Sequence, residues 1–335
     1  MRASLANNSS IRVCGCVQTE CGSPVVCVDV TQHRIPSPTF LRYSCRQRLA
    51  WISGERMALK TIVVFVDQTP ASDARVRYAA GLAMRHQAHL IGLFIVPNAW
   101  QHDRSDSNIQ GGAAIREMLE RHNLIESDAL QAAGRSFEAM AARDDASFEY
   151  RAVRGGDVGE LVRLHCLHSD LVVVGHPSAG LPAGWSPQQM LLSTGVPVLI
   201  VPASWPEGTI ARNILFAWNA SREARRAITD SLPVLRAADA VSVVVVDPNN
   251  NRAHGQEPGA DIAHYLSRHG VTARVEQLQS KGEPIAEVIR RYAAEDQSDL
   301  IVLGAYSHSP KRELLFGGVT RTLLSKVTIP TLIAH

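Results

Sequence analysis

Short apolar runs alternate along this chain with longer stretches in which apolar residues recur every three or four positions. Ile62-Val63-Val64-Phe65-Val66 and Val243-Val244-Val245-Val246 have the length of strands buried on both faces of a parallel sheet. Past residue 212 the order is clearest. An apolar run at 212–217 precedes an amphipathic stretch at 221–237, where Ala224, Ala227, Ile228, Ser231 and Leu235 share a face and Ser221 can cap the start. A β-branched run at 241–246 follows, then a helix near 259–269, a strand near 271–278 and a helix near 283–296. A strand at 299–303, a helix over 318–327 and a last strand at 330–334 complete the pattern. Such alternation predicts right-handed crossovers and a doubly wound parallel sheet. Residues before 205 follow the same order, with a longer stretch at 101–144 whose 117–121 and 127–142 parts predict helix.

The two halves also match residue by residue. Lys60-Thr61-Ile62-Val63-Val64-Phe65-Val66-Asp67 aligns with Arg212-Asn213-Ile214-Leu215-Phe216-Ala217-Trp218-Asn219. Gly156-Asp157-Val158-Gly159-Glu160-Leu161 aligns with Gly282-Glu283-Pro284-Ile285-Ala286-Glu287-Val288, and Ser169-Asp170-Leu171 with Ser298-Asp299-Leu300. Val196-Pro197-Val198-Leu199-Ile200 aligns with Ile329-Pro330-Thr331-Leu332-Ile333. Four matches in one order mark a duplication. Its seam lies near Ser204–Thr209, where Pro202, Pro206 and Gly208 punctuate a linker. Domains are expected at 57–205 and 210–335.

Residues 1–56 break this pattern. Seven arginines (Arg2, Arg12, Arg34, Arg42, Arg46, Arg48, Arg56) face only Glu20, Asp29 and Glu55, with no sustained period. Three readings stand: an upstream start with Met57 as the true one, an Arg- and Ser-rich targeting extension, or a metal site from Cys14, Cys16 and Cys21, whose spacing fits no zinc pattern. The segment is expected to stand outside the fold, poorly ordered. Five of six cysteines precede residue 57, leaving Cys166 alone in the body, which suits a reducing, cytoplasmic setting. With 34 basic and 32 acidic residues in 335, the charge of +2 gives no global pull toward nucleic acid or a membrane surface. No apolar stretch reaches membrane-spanning length.

In an open parallel sheet, ligands sit beyond the carboxyl ends of strands where the winding reverses. In the second half Asn219 follows the first strand and Gly304 the fourth. From Gly304 the chain crosses a polar loop, with Ser307, Lys311 and Arg312, to Gly317-Gly318 at a helix start. Paired glycines there expose backbone amides to an anion such as phosphate, and the two cations add charge. Joined to the duplication and the closing Ile329-Pro330-Thr331-Leu332-Ile333, this loop resembles that of the universal stress proteins. Their pattern is a glycine, two residues, a glycine, nine residues, then glycine and a serine or threonine. Gly304 and Gly317 hold its first and third glycine positions; Ser307 replaces the second glycine and Gly318 the hydroxyl residue. The resemblance covers nearly all of 58–335. It implies two five-stranded parallel α/β domains, packed as a pseudo-dimer with 196–201 and 329–334 meeting near its axis. It also implies a second half that binds ATP or another adenine nucleotide. There Asn219 would stand in for the base-contacting aspartate, Val245 would line the base pocket and Val319 would flank the phosphates. In the first half Asp67 fits the base position, but His176-Pro177-Ser178-Ala179-Gly180-Leu181-Pro182 rewrites the phosphate loop, so that copy is expected to be structural.

Other constellations are weaker. His165 and His168 sit three apart on a predicted helix without a third metal ligand. Trp218 suits packing better than base stacking, and His308 has no carboxylate partner placed by sequence. Ser193, Thr194 and Ser325 are helix hydroxyls. No phosphate-binding Gly-x-x-x-x-Gly-Lys loop, nucleophile elbow or His-Glu-x-x-His helix occurs, so no reaction is expected. The open alternatives are a scaffold that docks a partner protein and a slow ATPase. A homodimer of two such chains is a further open alternative.

Overall fold

Alternate residues of each central strand point to opposite faces, and both faces are apolar, so helices must cover the sheet on two sides. The computed structural model describes residues 58–96, 112–142, 147–153, 158–176, 186–206, 210–250, 254–305 and 318–335, together with the backbone of a strand at 25–28. The first repeat runs β2 (Thr61–Val66), α1 (Pro70–His86), β3 (His89–Ile95), α2 (Gly112–Ala141), β4 (Phe148–Val153), α3 (Val158–Leu167), β5 (Leu171–His176), α4 (Pro187–Thr194) and β6 (Val198–Pro202). The second runs β7 (Asn213–Ala217), α5 (Arg222–Arg236), β8 (Ala240–Val246), α6 (Ala260–Arg268), β9 (Ala273–Leu278), α7 (Ile285–Glu295), β10 (Leu300–Gly304), α8 (Gly318–Ser325) and β11 (Thr331–Ala334). Residues 117–121 and 127–142, read as two helical parts, belong to the single helix α2; no Gly or Pro separates them.

Five strands per repeat join into one sheet, with β1 (Val25–Val28) added at an end: β1-β4-β3-β2-β5-β6-β11-β10-β7-β8-β9. Of residues 1–56, expected to stand outside the fold, Val25–Val28 pairs in parallel with β4, Val25 opposite Tyr150, and the others lie outside the described residues. Three valines in four residues suit a strand, and periodicity over four residues is too brief to announce one. Every pairing is parallel except β6 with β11, which run antiparallel with Leu199 opposite Leu332. The closing strands therefore meet at the pseudo-axis, as the resemblance implies.

One apolar layer includes Ile62, Val64, Ile214 and Phe216 from the sheet and lies under α1, α2, α5 and α6. The opposite layer includes Val63, Phe65, Leu215 and Ile301 and lies under α3, α4, α7 and α8. Both layers cross the β6–β11 seam. At the amino ends of the leading strands each repeat uses an aspartate clip. Asp170 accepts from the amides of Lys60 and Thr61 at 2.7 and 2.9 Å, and Asp299 from those of Arg212 and Asn213 at 2.8 and 2.9 Å. The start of the second repeat is docked against α1: a Cβ at Gly81 would lie 2.2 Å from Ile210 Cδ1, and the Arg85 guanidinium donates to the carbonyls of Ile210, Ala211 and Ala237.

Candidate functional site

The winding reverses between β2 and β5 in the first repeat and between β7 and β10 in the second, so each repeat has one switch-point crevice. In the second, the β7–β10 ladder extends to Ala217 opposite Leu303, which sets Gly304 beside the strand exit that leads to Asn219. Asn219 is exposed, and its side-chain oxygen accepts from the Ser221 amide at 3.2 Å. Ser221 in turn caps α5, its hydroxyl accepting from the Ala224 amide at 3.1 Å. Gly304 is required by close approach. A Cβ there would lie 2.3 Å from the Ala224 nitrogen and 2.4 Å from the Glu223 carbonyl carbon, both backbone atoms that cannot move aside. The glycine thus lets the first turn of α5, capped by Ser221, lie against the end of β10.

Gly318 opens α8, is exposed and has nothing within 4 Å of where a Cβ would stand. Val319 is half-buried against the layer under α7 and α8. Val245 is fully buried in the opposite layer, near Gly259, the left-handed N-cap of α6: a Cβ at Gly259 would meet Val245 Cγ2 at 3.3 Å. Asn219, Gly304 and the α5 start are brought together; Val245 and Val319 lie on opposite faces of the sheet. Ser307, Lys311, Arg312 and Gly317 lie outside the described residues, as does His308.

Two groups beside this crevice were not singled out from the sequence. Glu223, in the first turn of α5, is only 4% exposed and pairs with Arg222 at 2.7 Å. Burial works against its ionisation, but hydrogen bonds from Arg222 and its own amide, with the nearby His335, hold it below the ordinary carboxylate range. His335 Nδ1 lies 2.9 Å from the Ala305 carbonyl, which places the chain's last residue next to β10. A buried glutamate at a helix start carries no warning in an amphipathic pattern.

The first repeat's crevice is built differently. Its β2–β5 ladder ends at Val64 opposite Val173, one pair sooner than its counterpart. The Phe65 carbonyl instead accepts from Arg75 Nε at 2.6 Å. Arg75 Nη2 donates to Asp67 at 2.8 Å, and Asp67 also accepts from the Thr69 amide at 2.7 Å. Arg75 is 1% exposed; burial drags its pKa down while Asp67 holds it up. Among the described residues its buried Nη1 has no hydrogen-bond partner. Arg75 stands eight residues after Asp67; eight after Asn219 stands Ala227, also fully buried.

Of the remaining candidates, His165 Nδ1 lies 3.3 Å from Arg151 Nη1, and burial and that cation lower its pKa. Trp218 packs near Phe216, and Ser193, Thr194 and Ser325 hydroxyls bond carbonyls of their own helices. A hollow of about 520 Å³, lined by residues that include Leu278, Lys281 and Arg291, lies at the outer edge strand β9. The switch-point geometry, not this open surface hollow, follows the general rule for ligand placement in such sheets. Among the described residues no helix is long and apolar enough to cross a membrane.

Comparison with known proteins agrees with the duplicated architecture. The chain is 27% identical over 150 residues to a universal stress protein from Synechocystis sp. (strain ATCC 27184 / PCC 6803 / Kazusa), a match covering 44% of this chain and 50% of that relative. It thus spans about half the length of that relative. The crystal structure of a universal stress protein from Archaeoglobus fulgidus DSM 4304 superposes with a TM-score of 0.58, at 14% identity, over 82% of this chain and 97% of that one. A functionally unknown protein from Pseudomonas aeruginosa PAO1 gives 0.49, at 16% identity, over 83% and 93%. The profile described as the universal stress protein family matches twice, at residues 58–202 and 211–335, which are the two halves related by the pseudo-axis. With both repeats matched in this way, the chain belongs to the universal stress protein family, as a tandem member.

Proposed function

We propose that the second repeat binds an adenine nucleotide, ATP foremost, and that the chain is a cytoplasmic stress-response module without a catalytic reaction of its own. The observation that carries this reading is the Gly304 contact. It sets the start of α5 against the end of β10 at the switch point, next to Asn219, where an amide side chain can pair with an adenine edge. Gly318 adds an uncrowded helix start to which a phosphate can come close. Binding would act by favouring one arrangement of the crevice, and so one affinity for a partner, by no more than the ligand's preference between the two.

Gly318→Asp tests this cleanly. The side chain has room, and an acid in the first helical turn favours the helix, yet its charge repels phosphate. Mass spectrometry of ligand released from purified protein should find adenine nucleotide in wild type and at least about tenfold less in the variant, at an undiminished melting temperature. Equal amounts in both, or none in either after incubation with ATP, would overturn the assignment. Glu223 favours a second reading, a scaffold that docks a partner protein without nucleotide, because this buried acid belongs to the turn of α5 that meets Gly304. Its pairing with Arg222 offsets that charge. Conversion of ATP to ADP by the purified protein, measured in the same samples, would mark a slow ATPase.

A further inference from the structure

The first repeat departs from the second at the point where a ligand would enter. At repeat-equivalent positions one copy has aspartate and arginine and the other asparagine and alanine: Asp67 with Arg75 against Asn219 with Ala227. Both Arg75 and Ala227 are fully buried, so a guanidinium fills a place where its counterpart is a single methyl group. That guanidinium takes up the strand-end groups a ligand would otherwise engage, namely the Phe65 carbonyl, released where β2 leaves β5 one pair early, and the Asp67 carboxylate. An Nη1 buried without an acceptor among the described residues carries a desolvation cost that alanine avoids. At 1% exposure, that donor is also not offered to anything arriving from solvent.

We infer that Arg75 is a built-in occupant of the first repeat's ligand crevice, an ionic plug with Asp67 that limits the chain to a single site. The plug deepens the nucleotide reading of the second repeat, and rests on it for the single-site claim. It is a cause of silence distinct from the altered loop after His176, since it acts at the base end of the crevice. Removing it should open space for a flat heterocycle without restoring phosphate contacts, so the probe is adenosine.

The paired substitution Asp67→Asn with Arg75→Ala gives the first repeat the second repeat's residues and leaves no unpaired buried charge. It is made in the full chain that also carries Gly318→Asp, with Gly318→Asp alone as its parent. Calorimetric titration should show one adenosine site per chain beyond any that the parent shows. Unchanged binding in a folded paired variant would overturn the plug. Hydrogen exchange of wild type with saturating ATP supplies a measurement that needs no variant. Added protection should fall on 217–225 and not on 65–75; equal protection of both segments would overturn the plug. Protection of neither, with adenosine gained by the paired variant, would sink the nucleotide reading and leave the plug standing.

Discussion

At the exit of the first repeat's leading strand, a half-buried carboxylate holds a fully buried guanidinium; at the same point of the second, an exposed amide stands above a buried alanine. The surrounding scaffold is otherwise shared: the same strand order, the same helix layers, the same aspartate clip at the foot of the leading strand. Architecture and capacity for a ligand are therefore separable in this chain. Two side chains at the crevice can differ while the crossovers, which depend on apolar periodicity, stay as they were.

The sharpest way to break this comparison is to remove half of the ion pair. Arg75→Ala alone leaves Asp67 without its counter-charge and should cost about 3 kcal/mol, the order found for breaking a buried pair. Pairing it with Asp67→Asn should recover most of that loss. Urea midpoints of the two variants decide, and equal destabilisation of both would mean that packing, not charge, dominates. Gly304→Ala comes next, because its Cβ meets backbone on α5. Overpacking of this kind costs about 2 kcal/mol and should separate α5 from β10, weakening nucleotide binding as well as lowering the urea midpoint.

The clips give a smaller, graded contrast. Asp299→Ala leaves the Arg212 and Asn213 amides without their acceptor at a site 4% exposed, whereas Asp170 is exposed and water can replace it. Losses of about 2 and about 1 kcal/mol are expected respectively, in that order. The mildest contrast is with pH. His86 has Ala238 as its repeat counterpart; burial, with Arg85 and Lys60 nearby, lowers its pKa from 6.5 to about 4. Below pH 6.5 the unfolded chain takes up a proton that the folded chain refuses, so stability falls as pH drops from 6.5 toward 4. Melting temperatures across that window should fall less steeply in His86→Ala, and an unchanged slope would remove His86 as the cause.

Much of the fold could be read in the chain because duplication supplies an internal check. A strand inferred at 212–217 is supported by its twin near 61–66, and the Ser221 cap and the glycine that ends β10 fall where local patterning puts them. The parts that escaped notice depend on what lies across space. Arg75 occupies an amphipathic position that cations often hold at a helix edge, and only the early parting of β2 from β5 shows that it points inward. Glu223 and His335 become neighbours through the crossover to β10. Val25–Val28 is short enough that only its pairing with β4 defines it.

The antiparallel seam between β6 and β11 has a further consequence. Because one polypeptide supplies both sides, dilution does not separate them, and neither half has to find its mate by diffusion. The pairing is always of unlike halves in a one-to-one ratio, an asymmetry that free subunits exchanging at random could not maintain. Selection could therefore retire one crevice without also losing the other, since each half is inherited with its complement already attached.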